Sequence, residues 1–197
     1  AGMALRGFIP YVNTIATFLT RRSFEQNVID LGLHKLPVRL VGNGGGLVYG
    51  PLGPTHQAIE DISIMTSIPN MSVFSVCDKN EMRQLILQSQ KWKGPMYIRL
   101  ARGNEKIISQ GKRFKIGEIV TFIKPEKYTI FSTGSLTQEA LQSVKLLKMK
   151  GFNVGLIHVP SLKPINLNNL KLKLKNIDYI FSIEEHISKG GLGSILL

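Results

Sequence analysis

The chain has 197 residues, 43% of them hydrophobic, enough for two modest α/β domains with their own cores. Apolar runs are broken by Gly, Pro or charge well short of the roughly 20 residues a membrane helix needs, so no membrane contact is expected. The formal charge of +12 attracts anions, but the lysines are densest at 145–150 and 163–175, set between Leu and Ile like exposed helix faces, and no basic stripe carries interleaved aromatics, which argues against nucleic acid.

Residues 1–5 have neither the basic start nor the apolar stretch of a secretory leader, and a cytoplasmic location is expected. Cys77 is the only cysteine, which rules out an internal disulfide and any cysteine-cluster metal site. Short β-type runs alternate with helical patterns, the signature of a parallel sheet with helices on both faces. Residues 8–12 read as the first strand, and 17–31 as a helix with Phe24, Val28 and Leu31 on one face. A strand at 38–42 runs into the glycines 44–46, where the backbone can turn tightly or approach a ligand. Thr55 is expected to cap a helix with apolar positions Ile59, Ile62 and Met65, placing His56 in its first turn. Asp78 and Glu81 have capping-box spacing for a helix that buries Met82, Leu85 and Ile86. A strand at 96–100 ends just before Arg102. The polar, basic stretch 103–117 is the expected linker, dividing a domain at 1–110 from one at 118–197. The second unit reads as strands at 129–132, 153–159 and 179–183, with a helix between a capping box at Ser135 and Gln138 and a stop at Gly151. A further helix follows residues 190–194.

The strongest candidate site from residue types alone is the loop 50–56. His56 can exchange a proton near neutral pH, and a helix start beside glycines offers backbone N–H groups to an anion; a histidine bonded only to a carbonyl is the alternative. Arg102, past a strand end, can grip a phosphate or carboxylate by two parallel bonds or simply stand at the surface.

Taken together, several segments resemble the transketolase family in order and spacing: FIPYVNTIATFLTRRSFEQ, LPVRLVGNGGGLVYGPLGPTHQAIEDISIM, IPNMSVFSVCD, GPMYIRLARGN, STGSLTQEAL and SIEEHISKGGLGS. The likeness covers nearly the whole chain, and its most specific piece is 53–61 followed by 68–71. Similar pieces occur in 1-deoxyxylulose-5-phosphate synthases and, more distantly, in the β chains of 2-oxoacid dehydrogenases. The resemblance implies a parallel-sheet α/β pyrimidine-binding domain followed by a truncated α/β C-terminal domain. It further implies thiamine diphosphate as cofactor and transfer of a two-carbon ketol unit between sugars. Phe18 matches the aromatic that packs on the aminopyrimidine ring, and Ile15 and Arg21 fall where other cofactor- or substrate-side residues sit and are assigned to the cofactor. His56 matches the histidine that contacts substrate oxygens and assists proton transfer, and Arg102 the arginine that grips a sugar phosphate. The stretch 184–186 matches a C-terminal-domain signature, where a structural role is expected. Mg²⁺ and the diphosphate belong to an N-terminal half or subunit, and the implied assembly is a homodimer or heterotetramer acting on a sugar or sugar phosphate.

The chain also departs from that pattern. The glutamate that protonates the pyrimidine is expected a few residues upstream of Ala1, so the chain is expected to be a fragment, inactive alone; Glu25 lies downstream and does not replace it. Leu52 stands where transketolases place an acidic residue three before the Thr-His pair, and Gly44 and Gly45 stand where relatives have a basic phosphate contact. These departures point to a specialised sugar. The competing readings are an enzyme like the deoxyxylulose-phosphate synthases and a non-catalytic remnant of the fold.

Overall fold

The computed structural model describes residues 1–197, and its strands are β1 (Tyr11–Ile15), β2 (Arg39–Asn43), β3 (Ser72–Ser75), β4 (Met96–Arg99), β5 (Val120–Ile123), β6 (Tyr128–Ser132), β7 (Val154–His158), β8 (Ser161–Lys163) and β9 (Tyr179–Ile183). They form two sheets, ordered β1-β2-β4-β3-β8 and β5-β7-β6-β9. In the first, β1 to β4 are mutually parallel and β8 is antiparallel to β3; in the second only β5 runs antiparallel. The helices are α1 (Gly2–Leu5), α2 (Ala16–Thr20), α3 (Phe24–Gln26), α4 (Asp61–Ser67), α5 (Lys79–Ser89), α6 (Thr137–Met149), α7 (Leu167–Leu174) and α8 (Leu192–Leu196). β3 and β4 are buried along their whole length and β2 over all but its last residue, as strands covered on both faces of a parallel sheet must be. No helix is long and apolar enough to cross a membrane.

Several elements differ from the sequence reading, each for a local reason. The first strand begins at Tyr11 rather than residue 8: Pro10 has no N–H for a ladder, although its carbonyl accepts from Arg39 N (2.9 Å). The helix expected over 17–31 breaks after α2, because Ser23 Oγ and Asn27 Nδ2 donate to Leu19 O (2.7 and 2.6 Å) and so compete for a helix carbonyl; α3 and a π-helical segment, Asn27–Leu33, follow. Thr55 caps no helix. Residues 46 and 58 exchange backbone hydrogen bonds (2.7 and 3.0 Å), which ties the chain down before α4 begins at Asp61. Ser135 lies in a 3₁₀ turn and makes no cap, while Thr137 Oγ1 is engaged by Ser132 and His158; the stop at Gly151 forms, with φ +87°.

The stretch 103–117 is not a loose linker. Asn80, Gln84 and Gln88 lie four apart on one face of α5 and bond the backbone at Ser109, Lys112, Phe114 and Ile116. Phe114 is buried in the core behind them. The largest apolar cluster joins both sheets, with Leu40, Val73 and Tyr97 from the first and Phe131, Ile157 and Val159 from the second side.

Candidate active site

Ligands of open α/β sheets bind beyond the carboxyl ends of the strands, and all five expected site residues lie at or beyond that edge or on elements packed against it. Ile15 is the last residue of β1, half-buried, and Phe18 follows within α2. The half-buried Phe18 ring meets His56 edge-on, with centroids 5.2 Å apart and planes at 66°. His56 sits in a turn closed by its N–H to Gly53 O (3.0 Å), and Gly53 has φ +77°, a conformation that favours glycine. Thr55 Oγ1 lies 2.9 Å from His56 Nδ1, which leaves Nε2 without a protein partner. The Arg22 guanidinium covers one face of Phe18 at 4.5 Å from the centroid.

Arg21 closes the other side of this group. Its guanidinium forks onto Glu60 and donates to Pro54 O and Gln57 O (both 2.7 Å). The hydrogen bond from Arg21, ahead of burial, holds the Glu60 carboxyl below the usual carboxylate range, and the same bond raises Arg21. Arg102 lies apart from these residues, in a cavity of about 460 Å³ at the ends of β2, β3 and β4 that also includes Asn43, Asp78, Lys79 and Glu105.

The glycines 44–46 approach the protein itself. A Cβ on Gly44 would meet the Tyr49 ring, one on Gly45 the Arg99 side chain and one on Gly46 the Glu185 carboxylate. A basic side chain at 44 or 45 therefore has no room here.

Beneath the site lies a buried network that the sequence reading missed. Asp61 Oδ2 accepts from Tyr97 Oη (2.7 Å) and Arg99 Nε (2.8 Å), and Arg99 Nη2 donates to Ala58 O (3.2 Å) and Glu185 O (2.8 Å). Burial is the largest influence on the Arg99 guanidinium and would lower it, but Asp61, Tyr97 and Glu185 together outweigh it and the net direction is up; burial pushes the Tyr97 hydroxyl up. A signal for it exists in the sequence: a lone arginine in an otherwise apolar strand must be paired. The stretch 184–186 plays a structural part. Glu184 accepts from Leu192 N and Gly193 N at the start of α8 (2.6 and 2.8 Å), and His186 Nε2 accepts from Ser63 N (3.3 Å) in the first turn of α4.

Residues 1–106 match the transketolase pyrimidine-binding domain, and residues 119–197 match the transketolase C-terminal domain. The chain belongs to the transketolase family. Among its transketolase-family relatives, an apulose-4-phosphate transketolase subunit from Actinobacillus succinogenes is 35% identical over 198 residues, covering 100% of this chain and 63% of the relative. The 1-deoxy-D-xylulose-5-phosphate synthase of Caldanaerobacter subterraneus subsp. tengcongensis is 32% identical, over 100% of this chain and 32% of the relative. A solved structure described as a split gene transketolase, inactive beta4 tetramer, is 32% identical with a TM-score of 0.88, covering 99% of this chain and 63% of that one. The chain therefore spans less than two thirds of the length of these transketolase-family proteins.

Proposed function

We propose that the complete protein transfers a two-carbon ketol unit between sugars, and that this chain supplies the pyrimidine side of its active site. The observation that carries the reading is the edge-on contact of Phe18 with His56 at the carboxyl edge of a parallel sheet. Phe18 and Ile15, both half-buried there, suit a flat heteroaromatic ring, since they offer an apolar face that excludes water. Thiamine diphosphate, when bound, supplies the nucleophilic carbon that such chemistry requires. His56 Nε2 is the proton-handling atom toward substrate oxygens, and Thr55 holds the imidazole through Nδ1. Arg102, with the cavity beside it, takes the phosphate or distal hydroxyls of the sugar.

The proposed division is a pyrimidine-binding domain at 1–110 and a C-terminal domain at 118–197. Diphosphate and Mg²⁺ go to a partner half, in a homodimer or heterotetramer in the cytoplasm. Here Cys77, Glu81 and His158 are the only cluster of metal-ligating side chains; Glu81 Oε2 already accepts from the Cys77 backbone N–H and lies 2.9 Å from His158 Nε2, and a thiol and an imidazole do not suit an oxygen-seeking ion. The name of the first relative, a transketolase subunit for apulose 4-phosphate, supports a specialised sugar and a separate partner chain. Leu52, exposed in place of an acidic residue, and the filled space around the glycines also support the specialised sugar.

The second reading, a synthase that condenses pyruvate with loss of CO₂, is supported by the likeness to the Caldanaerobacter enzyme over the whole chain. Assays of the complete protein separate them. Ketol transfer from apulose 4-phosphate at rates above those with xylulose 5-phosphate and ribose 5-phosphate, and no CO₂ from pyruvate, is the expected result. Pyruvate decarboxylation would support the synthase, and inactivity with every donor after the partner is added would support the remnant.

A further inference from the structure

We propose that Arg21 is a positioning residue, which sets His56 against Phe18 through Glu60 and the backbone around the loop, and does not itself bind cofactor. The inference rests on the reading of His56 given above. Four of the five guanidinium N–H groups are taken by the protein: Nε and one Nη2 proton by the Glu60 carboxylate, the other Nη2 proton by Gln57 O and one Nη1 proton by Pro54 O. The two carbonyls bracket Thr55 and His56, so one planar group holds both ends of the histidine turn. Arg21 stands three residues after Phe18, as the residue that closes α2, so one short helix carries both the aromatic ring and the clamp on the histidine.

The other partner is anchored as well. Glu60 immediately precedes Asp61, which Tyr97 and Arg99 hold from β4. Hydrogen bonds from the centre of the sheet thus fix Asp61, the backbone carries that anchor to the adjoining Glu60, and hydrogen bonds from Arg21 continue it to the loop that carries His56. The Arg21 and Glu60 side chains are 36% and 24% exposed, and an ion pair at such a surface contributes little to global stability. Its value lies in geometry: misplacement of a reacting group by about 1 Å costs on the order of 100-fold in rate. Lysine cannot replace the arginine fully, because a point charge does not span a carboxylate and two carbonyls together.

The test uses the complete protein with its diphosphate-binding half. Two-carbon transfer, thiamine diphosphate affinity and thermal midpoint are measured for Arg21→Ala, Arg21→Lys, Glu60→Gln, His56→Ala and the double variant Arg21→Ala/His56→Ala. Arg21→Ala is expected to lower kcat by about 10- to 100-fold, with cofactor affinity and thermal midpoint nearly unchanged; Arg21→Lys and Glu60→Gln fall between. The double variant is expected to be no slower than His56→Ala, because a residue that works through His56 has nothing left to act on. Additive losses, or a tenfold weaker cofactor affinity in Arg21→Ala, would assign Arg21 to the cofactor and overturn the proposal. Full activity in Arg21→Ala with His56→Ala impaired overturns it while sparing His56. Full activity in His56→Ala removes the reading of His56, and this inference with it.

Discussion

His56 is held by three unlike contacts: the Phe18 ring, the Thr55 hydroxyl and its own backbone turn to Gly53. Only the first two involve the imidazole, and the ring is half-buried, so removing it leaves the fold intact. His56→Ala is expected to reduce ketol transfer by about 100-fold or more while the melting temperature moves little, as paired kinetic and calorimetric measurements would reveal. The resemblance picked out Phe18 and His56, 38 positions apart, and the structure brings them together. It places Arg102 in a neighbouring cavity. The reading of Arg21 as a cofactor-side residue could not anticipate its four intrachain bonds, because Glu60, Pro54 and Gln57 reach it only after the loop has folded. The same holds for Asp61: nothing local marks an aspartate in a short helix as the partner of Tyr97 and Arg99.

At the scale of elements, α5 shows what local pattern can and cannot supply. Asp78 caps it as the spacing predicts, accepting from Asn80 N and Glu81 N (3.0 Å each), and Glu81 reaches back to Cys77 N (2.8 Å). The Asp78 carboxylate also accepts from Ile108 N, Ser109 N and Ser109 Oγ, partners 30 residues away that no cap rule foresees. Burial would push the Asp78 carboxyl up, but these hydrogen bonds outweigh it and hold it below the usual range. A depressed carboxyl stabilises the fold fully above its unfolded value of about 3.9, and that contribution is lost as pH falls through the lower folded value. Thermal unfolding between pH 7 and pH 2 is therefore expected to show an acid-side loss that Asp78→Asn reduces, the remainder coming from carboxyls such as Glu60; an unchanged acid limb in that variant would contradict the assignment. The far end of α5 depends on Arg39, fully buried in β2, which donates to Ser89 O, Trp92 O and Gly94 O (2.6 to 2.7 Å). Arg39→Met would remove three charge-assisted hydrogen bonds and leave Gly94 O and the part-buried Trp92 O without a donor, and a loss of about 3 kcal/mol is expected in denaturant unfolding. β5 and β8 were missed for different reasons. β8 has three residues after a proline, too few for a pattern, whereas VTFI in β5 is rich in strand formers and was legible.

Across the whole molecule, each unit keeps an apolar cluster of its own, around Phe74 and Ile98 in the first and Ile130 and Leu156 in the second, and a third cluster is shared between them. Apolar residues of both sheets form one cluster, His158 Nε2 lies 2.9 Å from Glu81 Oε2, and Lys163 Nζ donates to Thr66 O and Ile68 O (2.7 Å each). Residues on one side thus satisfy buried groups on the other. Calorimetry of the chain is expected to give one transition with matching calorimetric and van't Hoff enthalpies, and Glu81→Ala, which leaves the buried His158 Nε2 without a partner, is expected to cost about 1–3 kcal/mol. Two separated transitions would contradict the shared core. The alternation of strands and helices made the fold class legible; the cross-sheet contacts were not, since they join residues more than 70 positions apart.

The measurement that bears most directly on the account is two-carbon transfer by the purified 197-residue chain, first alone and then reconstituted with a diphosphate-binding partner half in the presence of thiamine diphosphate and Mg²⁺. The account predicts no transfer by the chain alone and transfer once the partner is present, lost again in His56→Ala. Transfer by the chain alone, or none with the partner for any ketose donor, would contradict it.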